Sequence, residues 1–149
     1  MKDLDTLYKE ITLEIRHEIS ISASVEDAFD GLLEQLNTQL ENPEGDPIPM
    51  KFEPWPGGRW YRDLGDKNGH LWGHVQVLKR PSLLEISGPL FMSYPVISHV
   101  QYKISESKDG SILNFTHKAL GFIEASHREG VVSGWKANLE GVRRRAERR

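Results

Sequence analysis

Apolar and polar residues alternate along residues 11–21, ITLEIRHEISI. Isoleucine or leucine occupies nearly every second position, while charged or hydroxyl residues occupy the positions between them. A period of two is that of a strand with one buried face. The segment therefore predicts a long, half-buried strand.

The period changes at Ser24. Ser24 and Asp27 resemble a capping box at the start of a helix, and the apolar residues of VEDAFDGLLEQL then recur at helical spacing. We expect this helix to end near residues 37–41. The loop NPEGDP should follow, since its prolines and glycine interrupt regular structure.

The remaining chain predicts six strands and a long helix. The strand segments are MKFEPW, RWYRDL, HLWGHVQVL, LLEISGPL, SHVQYKIS and ILNFTHKAL, and the sequences GDKNG and KDG predict tight turns. Ser126 and Glu129 form a second candidate capping box, followed by a helical apolar stripe. This order predicts an α+β fold in which about seven antiparallel strands pack against a long C-terminal helix.

Composition narrows the class of protein. The 149 residues suit one domain, with residues 1–10 as a loose lead-in. A formal charge of −3 argues against nucleic-acid binding, despite the basic C-terminal run RRRAERR. The absence of cysteine excludes disulfides and thiolate chemistry. Neither a signal peptide nor a membrane-spanning run is visible, so we expect a cytoplasmic protein.

Five stretches resemble the SRPBCC (START-like) superfamily, and within it the group related to the activator of the heat-shock chaperone ATPase (AHSA-type domain). They are residues 24–29 (SVEDAF), 53–60 (EPWPGGRW), 73–75 with 81–84 (GHV and PSLL), 111–117 (SILNFTH), and Gly134 and Trp135 with Leu139. The resemblance spans residues 11–142 and implies the helix-grip fold, a curved antiparallel sheet wrapped around the last helix. The superfamily includes ligand carriers, cyclases and chaperone cofactors, so the resemblance alone leaves function open.

A strongly curved sheet and a straight helix cannot touch along their full length, which predicts an apolar cavity between them. Each tryptophan taken alone is better explained by core packing. Taken together, the aromatic residues suggest a cavity wall with a few polar groups. Surface ion pairs are expected for Arg59, Glu53, Arg16 and Glu14. If an arginine anchors a ligand carboxylate, Arg59 is the candidate. The full predicted lining is Trp60, Trp72, His74, Phe91, Tyr102, Phe115, His117, Trp135, Leu139 and Arg59.

His117 is the main candidate for catalysis, but a structural role is favoured because no motif ties a nucleophile or acid to it. His70 and His74 lie four residues apart on a strand, about 13 Å along the backbone, which is too far to share one metal ion. We therefore predict neither a metal site nor a cofactor.

Three functions follow, in order of preference. The first is binding of a small hydrophobic or amphipathic molecule in the cavity. The second is a protein-interaction module resembling chaperone activators, acting through the apolar segment GPLFMSYP (residues 88–95), which could instead form a lid or fill the core. The third is a cyclase- or hydrolase-like enzyme, which would need a carboxylate within hydrogen-bond reach of an inward histidine.

Overall fold

The computed structural model describes residues 1–37, 39–41 and 46–149. Most of the predicted NPEGDP loop, residues 42–45, lies outside the described residues. The elements are α1 (Leu4–Ile11), β1 (Thr12–Ile21), α2 (Val25–Leu36), β2 (Gln39–Glu41), β3 (Pro47–Phe52), β4 (Arg59–Gly65), β5 (Asn68–Lys79), β6 (Leu83–Gly88), β7 (Val96–Ser107), β8 (Gly110–Gly121) and α3 (Ala125–Glu147).

The strands form one antiparallel sheet in the order β1-β8-β7-β6-β5-β4-β3-β2. Seven of them match the predicted strands, and the sheet curls into a half-barrel around α3. The three-residue β2 is an addition that the sequence did not predict. The predicted α+β class and its antiparallel sheet with a long closing helix are confirmed.

Turn chemistry sets the register of the hairpins. Asp66 and Lys67 both have positive φ and form the two-residue loop between β4 and β5. A two-residue loop with both residues in this region matches the right-handed twist of the flanking strands. The β7–β8 hairpin turns equally tightly at Lys108 and Asp109. Both turns that the sequence predicted are therefore present.

The helix starts differ from the sequence predictions in two places. Ser24 Oγ accepts a hydrogen bond from the Asp27 amide at 3.1 Å, so α2 begins as predicted. In contrast, α3 begins at Ala125 after Glu124, and Ser126 lies inside its first turn. The predicted Ser126 capping box is wrong. The predicted loose lead-in is instead helical. It forms α1, Leu4–Ile11, and none of its residues is buried.

The core lies between the inner face of the sheet and the two long helices. Along β7 and β8 every second residue is buried, for example Val100, Tyr102, Leu113 and Phe115. The helix α3 packs against β1 and α2, and Arg149 at its end forms ion pairs with acidic residues of α2. Arg143 and Arg145 of the same basic C-terminal run pair with Glu140 and Glu34.

Candidate ligand-binding cavity

A cavity of about 640 Å³ lies between α3 and strands β3, β4 and β5. Ligand pockets in proteins span roughly 300–1,000 Å³, so this volume is of the expected size for a small molecule. Its lining residues come from α2, the sheet, the β6–β7 connection and α3: Gln35, Ile48, Trp60, Arg62, His70, Trp72, Phe91, Ser126, His127, Gly130, Val131, Gly134, Trp135, Ala137, Asn138, Glu140, Arg144 and Arg145.

Aromatic rings form the apolar part of the wall. The Trp60 and Trp72 rings meet edge to face with centroids 5.0 Å apart, and Phe91 meets Trp72 in the same way at 6.0 Å. Trp135 faces them from α3. Edge-to-face contacts hold each ring in a defined orientation. The wall is therefore built from mutually supported rings.

A β-bulge places Trp72. Trp60 pairs with Gly73 and Tyr61 pairs with Leu71, so Trp72 is the extra residue on β5. A bulge leaves one residue unpaired and reverses the alternation beyond it. Consequently His70 and Trp72 both line the cavity, whereas His74 beyond the bulge is exposed.

The three wall indoles differ in their hydrogen bonds. Trp60 Nε1 donates to the Leu36 carbonyl at 3.1 Å, and Trp135 Nε1 donates to His117 Nδ1 at 3.0 Å. Trp72 Nε1 is buried and has no partner among the described residues. One of the three indole donors therefore makes no hydrogen bond within the described part of the chain.

Two further lining residues, Asn138 and Arg62, also have a buried donor without a partner among the described residues. Tyr102 is fully buried, and burial raises the pKa of its hydroxyl well above its usual range, so it stays protonated. This hydroxyl donates to Asn138 Oδ1 at 2.9 Å. The bond fixes the amide, and Asn138 Nδ2 is left without a partner in the described part of the chain, as is Arg62 Nε.

His117 lies behind this wall, completely buried and fully hydrogen-bonded. Its Nδ1 accepts from Trp135 and its Nε2 lies 2.8 Å from Ser98 Oγ. An indole can only donate, so Nδ1 must be unprotonated and Nε2 carries the hydrogen of the neutral ring. Burial lowers the pKa of His117 to about 4. His117 therefore donates to Ser98 and cannot act as its base in this tautomer.

The charges around the cavity favour an anion. Arginines 62, 144 and 145 and one carboxylate, Glu140, belong to the lining. Glu140 Oε1 accepts from Arg143 Nη1 at 2.7 Å, and Arg145 bonds to Gln35 and Glu34. Among the described lining residues, arginines therefore outnumber carboxylates, and Glu140 is already engaged.

The predicted lining residues divide into three groups. Trp60, Trp72, Phe91 and Trp135 line the cavity. Tyr102, Phe115, His117 and Leu139 are buried in the packed core and do not belong to the lining. His74 and Arg59 are exposed and lie across from each other in the register of β4 and β5.

The position of Arg59 corrects the expectation that it anchors a ligand. Arg59 Nε and Nη2 donate to the two oxygens of Glu53 at 2.8 and 2.7 Å. These hydrogen bonds hold the pKa of the Glu53 carboxyl at about 2. Arg59 precedes the inward Trp60, so alternation turns it outward. His74 is turned outward by the bulge at Trp72.

The sequence prediction missed Arg62 and Asn138. Arg62 shares the inward face with Trp60 because it lies two residues further along β4. Asn138 follows Trp135 by three residues, close to one turn of α3. Both residues can be inferred from the sequence by counting two residues along the strand from Trp60 and three along the helix from Trp135. Trp60 and Trp135 were both predicted to line the cavity, but strand alternation and helical spacing were not extended from them to these two polar residues.

The segment of residues 88–95 closes one end of the site. Leu90 and Met92 are buried, whereas Phe91 turns into the cavity wall. Tyr94 Oη lies 2.6 Å from His127 Nδ1 at the start of α3, and the two rings stack. The segment thus connects the sheet to the first turn of α3 through ring contacts.

The described residues contain no cluster of three or more histidines or carboxylates that could hold a metal ion. Among the helices of the same residues, none has the length and apolar character needed to cross a membrane.

Comparison with protein families finds no matching family model, and no curated protein matches. Solved structures do match. An uncharacterized protein from Rhizobium leguminosarum has a TM-score of 0.70 at 13% identity, over 93% of this chain and 96% of that chain. A protein from Chromobacterium violaceum has a TM-score of 0.69 at 16% identity, over 91% of this chain and 98% of that chain.

A third similar structure is the di-domain ARO/CYC StfQ from the steffimycin biosynthetic pathway. Its TM-score is 0.68 at 13% identity, over 97% of this chain and 53% of that chain. Identities this low show the fold alone. The chain therefore has an α+β, helix-grip-like fold, which it shares with these three proteins.

Proposed function

We propose that the chain binds a small hydrophobic or amphipathic molecule in the cavity between the sheet and α3. The observation that carries this proposal is the cavity of about 640 Å³, walled by three tryptophans and Phe91. An apolar ligand gains roughly 25 cal/mol for each Å² of apolar surface that leaves water. Edge-packed rings preserve the pocket's shape, which lowers the ordering cost of binding.

Two glycines of α3 support the same proposal. Gly130 and Gly134 line the cavity, and a Cβ added to either would meet no heavy atom within 4 Å. Glycine inside a helix costs roughly 1 kcal/mol relative to alanine. No close neighbour within the described residues explains this cost. Both glycines are exposed and border the cavity beside Trp135, so they leave its edge free of side chains.

Tryptophan fluorescence provides the test. Trp55 is 55% exposed and does not line the cavity, so Trp55→Phe leaves the three wall indoles as reporters. In this background, titration with fatty acids and polycyclic aromatic compounds should give a saturable change. Gly134→Phe should place a ring at the edge of the cavity beside Trp135 and weaken the change, while Gly134→Ala should retain it. A response that is unaffected by Gly134→Phe would place binding elsewhere and overturn the proposal.

A second candidate is the AHSA-type role, in which the domain acts as a protein-interaction module. Burial of Leu90 and Met92 removes the segment that the sequence suggested for this role. A different surface favours it: Ile97, Leu120 and Phe122 are exposed, and Ile97 pairs with Leu120 on the outer face of the sheet. Contiguous exposed apolar residues mark interaction sites. Retention of the heat-shock chaperone by the protein, lost in Phe122→Ser, would support this candidate.

The enzyme hypothesis lacks its required arrangement at His117. The hydrogen-bond partners of this inward histidine are Ser98 and Trp135, and neither is a carboxylate.

We retain the cytoplasmic compartment as part of the proposal, since cysteine-free composition suits a reducing environment.

A further inference from the structure

The cavity lining contains a set of unsatisfied hydrogen-bond donors. Within the described residues, four buried side-chain polar atoms have no partner, and three belong to lining residues: Trp72 Nε1, Arg62 Nε and Asn138 Nδ2. Trp72 is 9% exposed and Asn138 is 6% exposed. Buried polar groups almost always have a partner, because leaving a donor unpaired is costly. Their concentration at one cavity requires an explanation.

All three atoms donate, and none of them can accept. The indole nitrogen and the guanidinium are donors by chemistry, and Asn138 is a donor here because its Oδ1 already accepts from Tyr102. A water molecule or hydroxyl would bring hydrogens of its own into this set. A carboxylate brings two oxygens with about four acceptor sites and no hydrogen. The donors therefore complement an acceptor-only group.

The charge balance selects an anion over a neutral carbonyl. Arg62 contributes a permanent positive charge, and Glu140, the carboxylate among the described lining residues, is engaged by Arg143. Hydrogen bonds between a guanidinium and a carboxylate are about twice as strong as neutral ones. The rest of the wall is apolar and aromatic.

We propose that the ligand of this cavity is an apolar acid, with its hydrocarbon body against the wall of tryptophans and its carboxylate bound by Arg62, Trp72 and Asn138. This inference rests on the proposed function and names the chemical class of its ligand. It also assigns the anchoring role to Arg62 in place of the exposed Arg59.

Three probes of nearly the same shape test the proposal: 2-naphthoic acid, 2-acetonaphthone and 2-ethylnaphthalene. They offer a carboxylate, a neutral carbonyl and no acceptor, respectively. Calorimetric titration near pH 7 should rank them in that order, with the acid bound about 10- to 100-fold more tightly than the hydrocarbon. In nitrogen-edited spectra, the Trp72 indole proton, assigned with Trp72→Phe, should move downfield with the acid and not with the hydrocarbon.

Arg62→Met keeps an apolar stem and removes the charge. It should reduce binding of the acid about 10- to 100-fold while leaving the hydrocarbon unchanged. Arg59→Met is the matched control, since Arg59 is exposed outside the cavity, and it should leave all three affinities as they are. The indole measurement on the unmodified protein does not depend on how Arg62→Met folds.

The outcomes separate this inference from the proposed function. If all three probes bind equally well and Gly134→Phe weakens their binding, the cavity binds apolar molecules and the acid specificity is wrong. If the ketone matches the acid and Arg62→Met affects neither, an anion is not the ligand. If none of the probes binds, both the inference and the proposed function are contradicted.

Discussion

Trp135 divides the space beneath α3 into two regions, which differ in whether their buried polar groups are hydrogen-bonded by the described residues. On one side lies the packed region, formed by Tyr102, Phe115, His117 and Leu139, all buried. On the other side lies the cavity, with Trp72 and Arg62 on its wall.

In the packed region, His117 uses both ring nitrogens, and Ser98 and Trp135 complete its bonds. In the cavity, three lining residues keep donors without partners in the described residues. Similar side chains are thus satisfied by protein in one region and unsatisfied in the other. Buried polar groups thus hold the helix on the sheet in the packed region, whereas those of the cavity would be satisfied by the acid proposed above.

The largest expected difference between the regions comes from phenylalanine truncation. Phe115 contacts the rings of Tyr102 and Trp135 with centroids 5.0 and 4.6 Å away. Phe115→Ala should lower the free energy of unfolding by about 3–5 kcal/mol, because it leaves a void in a filled core. Phe91→Ala, at the half-buried cavity wall, should cost less. Urea denaturation of both variants would measure this, and equal costs would show that the cavity wall is packed like the core.

The next largest effect is the dependence of stability on pH in the packed region. His117 titrates at about 4 in the folded protein, against an ordinary value of 6.5. Between these values the unfolded chain binds more protons at this group, so stability rises with pH. The full contribution is present above about pH 6.5 and is lost as the pH falls toward 4, with a size of about 3 kcal/mol.

Urea denaturation between pH 4 and 7 would measure this dependence. His117→Gln should be less sensitive to pH than the natural protein, because its buried side chain cannot be protonated. His74→Gln changes an exposed histidine and should retain the dependence. If the natural protein and His117→Gln lose stability in parallel, the buried imidazole is not the group responsible.

A matched pair of tryptophan substitutions sharpens the contrast further. Trp135→Phe leaves His117 Nδ1 without its donor, whereas Trp72→Phe removes an indole donor that has no partner among the described residues. Both remove the same atoms from buried positions. Trp135→Phe should therefore be more destabilising by about 1–3 kcal/mol, which is the cost of an unpaired buried acceptor. A larger cost for Trp72→Phe would mean that its indole is already satisfied.

Sequence pattern predicted most of the fold because strand alternation and helical spacing are local signals. The seven long strands and both long helices were found this way. The pattern failed where one extra residue in a strand reverses the face on which the following side chains lie. The bulge at Trp72 cannot be read from HLWGHVQVL, since the segment alternates equally well without it, and His74 was assigned to the wrong face.

The predicted hollow beneath α3 also required correction. Of the predicted lining, the residues nearest β7 and β8 fill the space themselves, as Tyr102, Phe115 and Leu139 show. The cavity lies instead toward β3, β4 and β5. The side-chain volumes of several strands together decide which part of a helix a curved sheet leaves uncovered. No local sequence pattern contains this information.

The smallest expected effect concerns the link between the two regions. Tyr102 belongs to the packed region, yet its hydroxyl orients Asn138 of the cavity through one bond of 2.9 Å. Tyr102→Phe should cost about 1 kcal/mol of unfolding free energy, as for one buried hydrogen bond. It should also reduce the preference for 2-naphthoic acid over 2-ethylnaphthalene, because the freed amide can rotate its oxygen toward the carboxylate.

Tyr94→Phe provides the control for this prediction. It removes a hydrogen bond of 2.6 Å to His127 at the start of α3 without touching Asn138. A similar loss of stability with an unchanged preference for the acid is therefore expected. If both tyrosine variants keep the full preference, Asn138 is oriented by something other than Tyr102, and the packed region and the cavity act independently.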